Sequence, residues 1–196
     1  LLAWKLAPAL AAGNTVVIKP SEYTSASTIE LAKLSELAGF PPGVINVVTG
    51  YSSEVGEPLV AHKKVKKIAF TGGEEGGRKV NIAGAADFKK VTLELGGKSA
   101  NIVFDDADLD RALNGGISGI FAASGQTCIA GSRLLLQDSI HDEFVDRLVE
   151  IAKTAQLGNP MSEDTQIAPI ATEPQYRKIL AYIDIAKAEG ARCVLG

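Results

Sequence analysis

The sequence predicts an α/β fold built on a doubly wound parallel sheet, and three observations carry that expectation. Short β-branched runs recur along the chain, helical patterns stand between them, and the connections are brief and marked by glycine or proline. Alternation of this kind is satisfied by parallel strands joined through right-handed helical crossovers.

Residues 1–12 read as a helix, ended at Gly13-Asn14 by the usual C-terminal turn chemistry. Residues 15–19 are a strand by their β-branched content, and Pro20 stops it. A helix over residues 25–38 carries Ile29, Leu31, Leu34 and Leu37 and is closed by Gly39. Next come a strand at 44–48, a helix near 54–61 and a strand at 67–71. A glycine-rich turn then opens a helix from about residue 75 to 85, and residues 90–94 form the following strand.

Gly96-Gly97 is a plausible hinge, giving expected domains of residues 1–95 and 96–196. The second part reads as a strand at 100–104, a helix from 109 to about 124, a turn containing Cys128, a strand at 132–137 and a helix over 140–155. Gly158-Asn159-Pro160 opens a loop of about ten residues before a helix at 173–189, and a strand is expected to begin near Cys193. Leu1 is not an initiator Met and both ends fall inside patterned segments, so the complete protein is expected to extend both ways.

Apolar residues make up 46% of the 196 and charged residues 22%, a globular balance. With a net charge of −3 and no basic cluster, nucleic acid is not an expected partner. No apolar run is long enough for a bilayer, so no membrane association is expected. Two cysteines, Cys128 and Cys193, are too few for a disulfide framework, which points to a reducing compartment and hence the cytoplasm.

Three stretches carry chemistry. Phe70-Thr71-Gly72-Gly73-Glu74-Glu75-Gly76-Gly77 follows a strand and opens a helix. Glycines there let the backbone approach a phosphate, and a helix N-terminus offers free N–H groups. A tight strand–helix turn with no ligand would read the same way. Glu94 ends a strand and precedes Leu95-Gly96-Gly97-Lys98-Ser99. In doubly wound folds ligands sit at the carboxyl ends of strands, and a carboxylate there can become a general base if burial raises its pKa toward neutrality. The alternative is a strand-end glutamate paired with Lys98. The third stretch is Ser124-Gly125-Gln126-Thr127-Cys128-Ile129-Ala130-Gly131-Ser132-Arg133. A cysteine between two glycine turns is placed to be exposed and reactive, whereas most lone cysteines are inert core residues. Cys193, in an apolar segment, takes the inert reading.

Together these stretches resemble the aldehyde dehydrogenase superfamily over essentially the whole chain. The motif from Gly125 to Arg133 is similar to the family's nucleophile motif. That from Leu93 to Ser99 is similar to its glutamate motif, with Glu94 lying 34 residues before Cys128. Trp4-Lys5-Leu6-Ala7-Pro8-Ala9-Leu10-Ala11-Ala12-Gly13-Asn14, Val17-Ile18-Lys19-Pro20-Ser21-Glu22 and Gly39-Phe40-Pro41-Pro42-Gly43-Val44-Ile45-Asn46-Val47-Val48 resemble further landmarks in the same order.

The resemblance implies part of a Rossmann-like NAD(P)-binding domain followed by part of a catalytic domain. It implies that Lys19 and Glu22 hold the adenosine ribose. Gly72, Gly73 and the helix containing Gly77 would meet the pyrophosphate, and Leu95 would lie beside the nicotinamide. NAD is favoured over NADP, because Glu22 repels a 2′-phosphate. Cys128 would attack a small-molecule aldehyde, giving a thiohemiacetal and then a thioester, and Glu94 would activate the hydrolytic water. No metal is implied, and the full-length protein is expected to be a homo-oligomer. Two residues depart from the family pattern: Gly73 replaces a common serine, and Ser52 a common glycine. The family's oxyanion asparagine and a further cofactor-binding glutamate match no position in residues 1–196, so the isolated piece is expected to be inactive.

A coenzyme A-acylating relative is a second enzymatic reading, although such members generally lack a glutamate at the position of Glu94. A catalytically silent homologue is a third. Among other residues, Trp4 is expected in the core and Lys5 to support at a distance. His62 and His141 are expected to be exposed, as are Lys63, Lys64, Lys66 and Lys67.

Overall fold

A computed structural model describes residues 1–196, which divide into two compact units, Leu1–Leu95 and Gly96–Gly196. In the first unit α1 (Leu2–Ala11) precedes β1 (Val16–Ile18), α2 (Ala26–Leu37) and β2 (Ile45–Val47). Then come α3 (Glu57–Ala61), β3 (Lys67–Thr71), α4 (Glu74–Ala85) and β4 (Lys90–Glu94). The second unit holds β5 (Ala100–Val103), α5 (Leu109–Phe121), β6 (Arg133–Leu136), α6 (His141–Lys153) and α7 (Glu173–Ala188).

The strands pair in three parallel ladders, β1 with β2, β3 with β4, and β5 with β6, each bridged by one helix. Local chemistry explains the boundaries. Gly13 and Gly39 adopt positive φ after α1 and α2, and the N–H of the next residue in each case reaches back to a helix carbonyl, Ala9 or Ser35. Glycine tolerates this left-handed closing turn without a Cβ clash. At α5 the Asp108 side chain accepts the Arg111 N–H, capping one of the free donors of the first turn.

In the second unit Leu113 and Phe144 are almost wholly buried, with Val103 and Ile140 beside them and Leu134, Leu136 and Leu148 packed around. Leu134 and Leu136 alternate with the exposed Leu135, so one face of the β5–β6 ladder is covered by α5 and α6. In the first unit, Ile68 of β3 and Gly77 and Gly84 of α4 are buried. Gly84 is required by contact, because a β-carbon there would lie 2.6 Å from Val91 Cγ2. The Lys89 side chain, 2% exposed, turns inward and donates to the carbonyls of Val60 and His62, closing the end of α3.

Several expectations are corrected. Trp4 is not in the core but 76% exposed, because α1 buries none of its residues. Cys193 lies in no strand and is exposed, its thiol donating to the Leu195 carbonyl. The helix expected from 54 to 61 begins as a π turn, Ser52–Gly56, before α3. That expected to reach residue 124 stops at Phe121, where the backbone breaks out of helical angles. His62, His141, Lys63, Lys64, Lys66 and Lys67 are exposed.

Candidate active site

Lys19 follows β1 directly and Glu22 stands three residues later, and the fold brings the two together. Lys19 Nζ donates to the Pro20 carbonyl at 3.0 Å and lies 3.5 Å from Glu22 Oε2. The lysine stem runs alongside Gly56, at the end of the π turn that contains Ser52. The Glu22 carboxyl is held below its ordinary value chiefly by its own backbone N–H; burial opposes this, and the charge and hydrogen bond of Lys19 add smaller lowering effects. Glu22 is therefore an anion at neutral pH whose carboxylate can accept further donors beside Lys19 and its own backbone N–H.

At the carboxyl ends of β3 and β4, Thr71 stands in register with Glu94. The Gly72 N–H donates to the Glu94 carbonyl at 3.1 Å, so the turn after β3 is fastened by the backbone of Glu94. That donor is thereby engaged within the chain. The N–H groups of Gly73, Glu74 and Glu75 have no acceptor, and Gly73 caps α4 in an extended conformation without a side-chain cap. A β-carbon on Gly73 would meet open space, whereas one on Gly72 would strike the Phe70 ring. Glu74 is drawn aside by Arg78, to which it is paired at 2.8 Å. Gly77 is buried beneath Leu95. The Glu94 side chain is exposed on the same strand face as Lys90 and Thr92 and takes part in no ion pair.

Cys128 belongs to the second unit. After Phe121 the chain passes through Ala123, Ser124 and Gly125, all with positive φ. For Ala123 and Ser124 the left-handed conformation costs about 1–2 kcal/mol each. The Gln126 N–H closes the turn on the Ala123 carbonyl, and the Gly131 N–H reaches back to Gly119 of α5. Arg133 donates from Nε to the Lys98 carbonyl at 2.8 Å and from its N–H to Ser99, tying the end of the motif to the start of β5. Between these anchors Cys128 is a half-buried free thiol, and its own N–H donates to no group of the chain. Its carbonyl lies where a β-carbon on Gly97 would come to 3.4 Å, in van der Waals contact.

Four contributors were not singled out by sequence. The buried Oγ1 of Thr71 has no hydrogen-bond partner, an uncompensated polar atom beside the glycine turn. Phe70 packs against both Gly72 and Gly76. Ser124 Oγ and Gln126 Oε1 accept the backbone N–H groups of Ala168 and Ala171. Thr71, Phe70, Ser124 and Gln126 all lie inside the quoted motifs, but their partners do not follow from the motif itself. No group of three or more His, Cys, Asp or Glu side chains converges on a metal position, and no helix is long and apolar enough to cross a membrane.

Comparison with known proteins places these features in a family. The model of the aldehyde dehydrogenase family matches residues 1–196. A chloroplastic aminoaldehyde dehydrogenase of Arabidopsis thaliana is 49% identical over 98% of this chain and 38% of its own length. The human mitochondrial aldehyde dehydrogenase is 47% identical over 99% of this chain, again 38% of its length. Among solved structures, PnpE in complex with nicotinamide adenine dinucleotide superposes with a TM-score of 0.97 at 47% identity, covering 99% of this chain and 40% of that one. Betaine aldehyde dehydrogenase from Staphylococcus aureus in complex with NAD+ gives 0.96 at 44% identity, covering 99% and 39%. The chain thus shares their α/β fold and spans about two fifths of the length of these relatives. It belongs to the aldehyde dehydrogenase family.

Proposed function

We propose that this chain carries the nucleophile and the general base of an enzyme that oxidises an aldehyde to a carboxylic acid with NAD(P)+. The observation that supports it most directly is the Cys128 turn, which combines a free thiol with a backbone N–H that has no acceptor in the chain. The thiolate adds to the aldehyde carbon, and the oxygen that becomes an oxyanion meets that N–H. Loss of hydride from the same carbon leaves a thioester on Cys128. Glu94 takes a proton from water, the hydroxide attacks the thioester, and the acid departs as the thiol is restored. Its exposed position at the end of β4 leaves the carboxylate open to water.

The residues of the first unit fit a dinucleotide. Free N–H groups at the start of α4, open space over Gly73 and the unpartnered Thr71 hydroxyl suit a phosphate-bearing ligand at that turn. Gly73 and the free N–H groups that follow it would meet the pyrophosphate, with Gly72 shaping the turn through its bond to Glu94 and Gly77 seating α4 under Leu95; Lys19 and Glu22 would hold the ribose hydroxyls, and Leu95 would border the nicotinamide. When bound, the cofactor supplies the acceptor for the hydride. NAD+ is the favoured form, since the carboxylate of Glu22 is charged at neutral pH and opposes a 2′-phosphate. Residues 1–95 thus act as part of the cofactor domain and 96–196 as part of the catalytic domain. A homo-oligomer is proposed for the complete protein. A reducing compartment such as the cytoplasm suits two free thiols, although the relatives' names include chloroplastic and mitochondrial proteins.

Acid quenching of the complete protein during turnover, followed by peptide mass analysis, tests the reading. An acyl adduct on the Cys128 peptide is expected. Turnover with that peptide unmodified, or with the adduct on Cys193, would overturn it.

A further inference from the structure

We propose that Gln126 is a positioning residue for Cys128, with Ser124 as its counterpart across Gly125. This rests on Cys128 being the nucleophile. The connection between α5 and β6 reverses through three successive left-handed residues, Ala123, Ser124 and Gly125, of which only one has glycine's freedom. A backbone held this way persists only where its surroundings over-determine it. Two side-chain acceptors on the turn tie it to backbone donors outside it. Ser124 Oγ accepts the Ala168 N–H at 3.0 Å, and Gln126 Oε1 accepts the Ala171 N–H at 3.0 Å. The acceptors flank Gly125 and the donors lie three residues apart on one segment, so the two bonds form a clamp between stretches 44 and 45 residues apart in sequence.

The clamping segment is itself fixed. The Gly158 N–H donates to the Ile167 carbonyl, the Ile167 N–H to Gln156, and the Gln166 side chain accepts the Gln156 N–H. Downstream, α7 begins two residues after Ala171. On the side before Cys128, where α5 has ended at Phe121, the turn is therefore held by a braced loop, while beyond Cys128 the Gly131 N–H bonds to Gly119 of α5. Cys128 stands two residues beyond Gln126, so a turn released from Ala171 carries the thiol and its N–H with it. Addition to a carbonyl demands a narrow geometry, and a misplacement of about 1 Å can cost on the order of 100-fold in rate.

Only the acceptor oxygen of Gln126 matters to this clamp, which gives a sharp test. Glu retains an acceptor for the Ala171 N–H, and Leu does not. In the complete protein, Gln126→Leu, Gln126→Glu and Ser124→Ala are compared with the unaltered enzyme. For each, kcat is read on the alkaline plateau of its pH profile, so that any change in thiol ionisation drops out. It is expressed per cofactor-binding site counted by NADH titration, which corrects for misfolded material. Gln126→Leu should lower kcat about tenfold while the Kd for NAD+ stays within about twofold, and Gln126→Glu should recover most of the loss. Ser124→Ala should lower kcat severalfold and decides the matter should Gln126→Leu not fold. An unchanged kcat in Gln126→Leu, or in Ser124→Ala where the first does not fold, overturns the clamp, as does a Glu variant no better than Leu. Full activity of Cys128→Ala would instead overturn the nucleophile reading on which the clamp rests.

Discussion

Leu95 lays its Cδ2 over the α-carbon of Gly77, where a β-carbon would come within 2.5 Å of it. The contact joins the first turns of α4 to the residue that follows β4. In the proposed function those two places meet the phosphate and nicotinamide sides of one cofactor, so glycine at 77 sets where Leu95 can lie.

Gly77→Ala tests this coupling. Alanine is favoured over glycine inside a helix by ~1 kcal/mol, and overpacking costs ~1–3 kcal/mol. The clashing atom is the tip of a leucine, which can rotate aside, so the two effects nearly offset. Stability should fall by no more than about 1 kcal/mol in a denaturant titration, while the displaced Leu95 raises the Kd for NAD+ severalfold. An unchanged Kd would show that Leu95 does not border the cofactor.

Cys128→Ala should abolish aldehyde oxidation in the complete protein and leave cofactor binding near normal, because its side chain is proposed to touch substrate and its neighbours in the turn are unaffected. Fluorescence titration with NADH and a steady-state assay read the two separately. Oxidation at the unaltered rate would remove Cys128 from the mechanism.

Glu22→Gln should shift the preference for NAD over NADP by one to two powers of ten toward NADP, on the order of the ~1.5–3 kcal/mol of a hydrogen bond to a charged group. The pH dependence follows from the lowered pKa of Glu22. A carboxyl whose folded pKa lies below its unfolded value contributes above the unfolded value and loses that contribution as pH falls through the folded one. Affinity for NAD, which carries no 2′-phosphate to titrate, should therefore hold from about pH 8 down to pH 5, above the usual carboxylate range. An NAD affinity that fades between those limits would show that the ionised Glu22 does not hold the ribose.

The parts of this fold legible in sequence are those fixed by neighbours a few residues away. The bounds of β3 and β4 coincide with their β-branched runs, and Gly13 and Gly39 close their helices as read. What was not legible depends on distant partners. Lys89 carries no signal in the sequence, yet it is drawn inside by the carbonyls of Val60 and His62, 29 and 27 residues away. Nothing in Ala122-Ala123-Ser124 announces left-handed backbone, so the helix was expected to run through it. The acceptors that hold the turn find their donors more than forty residues downstream. Trp4 reads as core by composition, but burial needs a covering element, and Trp4 lies on the exposed face of α1, opposite the half-buried Leu2, Leu6 and Leu10.

Glu94 yields the most discriminating kinetic prediction, because its proposed role begins only after hydride has left. Glutamine at 94 keeps the size of the side chain and its place at the end of β4, and the Gly72 N–H still has the backbone carbonyl of residue 94 to bond. The turn after β3 should therefore survive the substitution and cofactor binding with it. What is lost is the ability to take a proton from water. Rapid mixing of Glu94→Gln with aldehyde and NAD+ should give one equivalent of NADH per active site, then turnover slowed by about 100-fold or more, the typical worth of a general base. Mass analysis at the plateau should find the acyl group retained on the Cys128 peptide. If the variant turns over as fast as the unaltered enzyme, Glu94 is not the base. If no burst appears although NAD+ still binds, Glu94 acts before the thioester and not upon it.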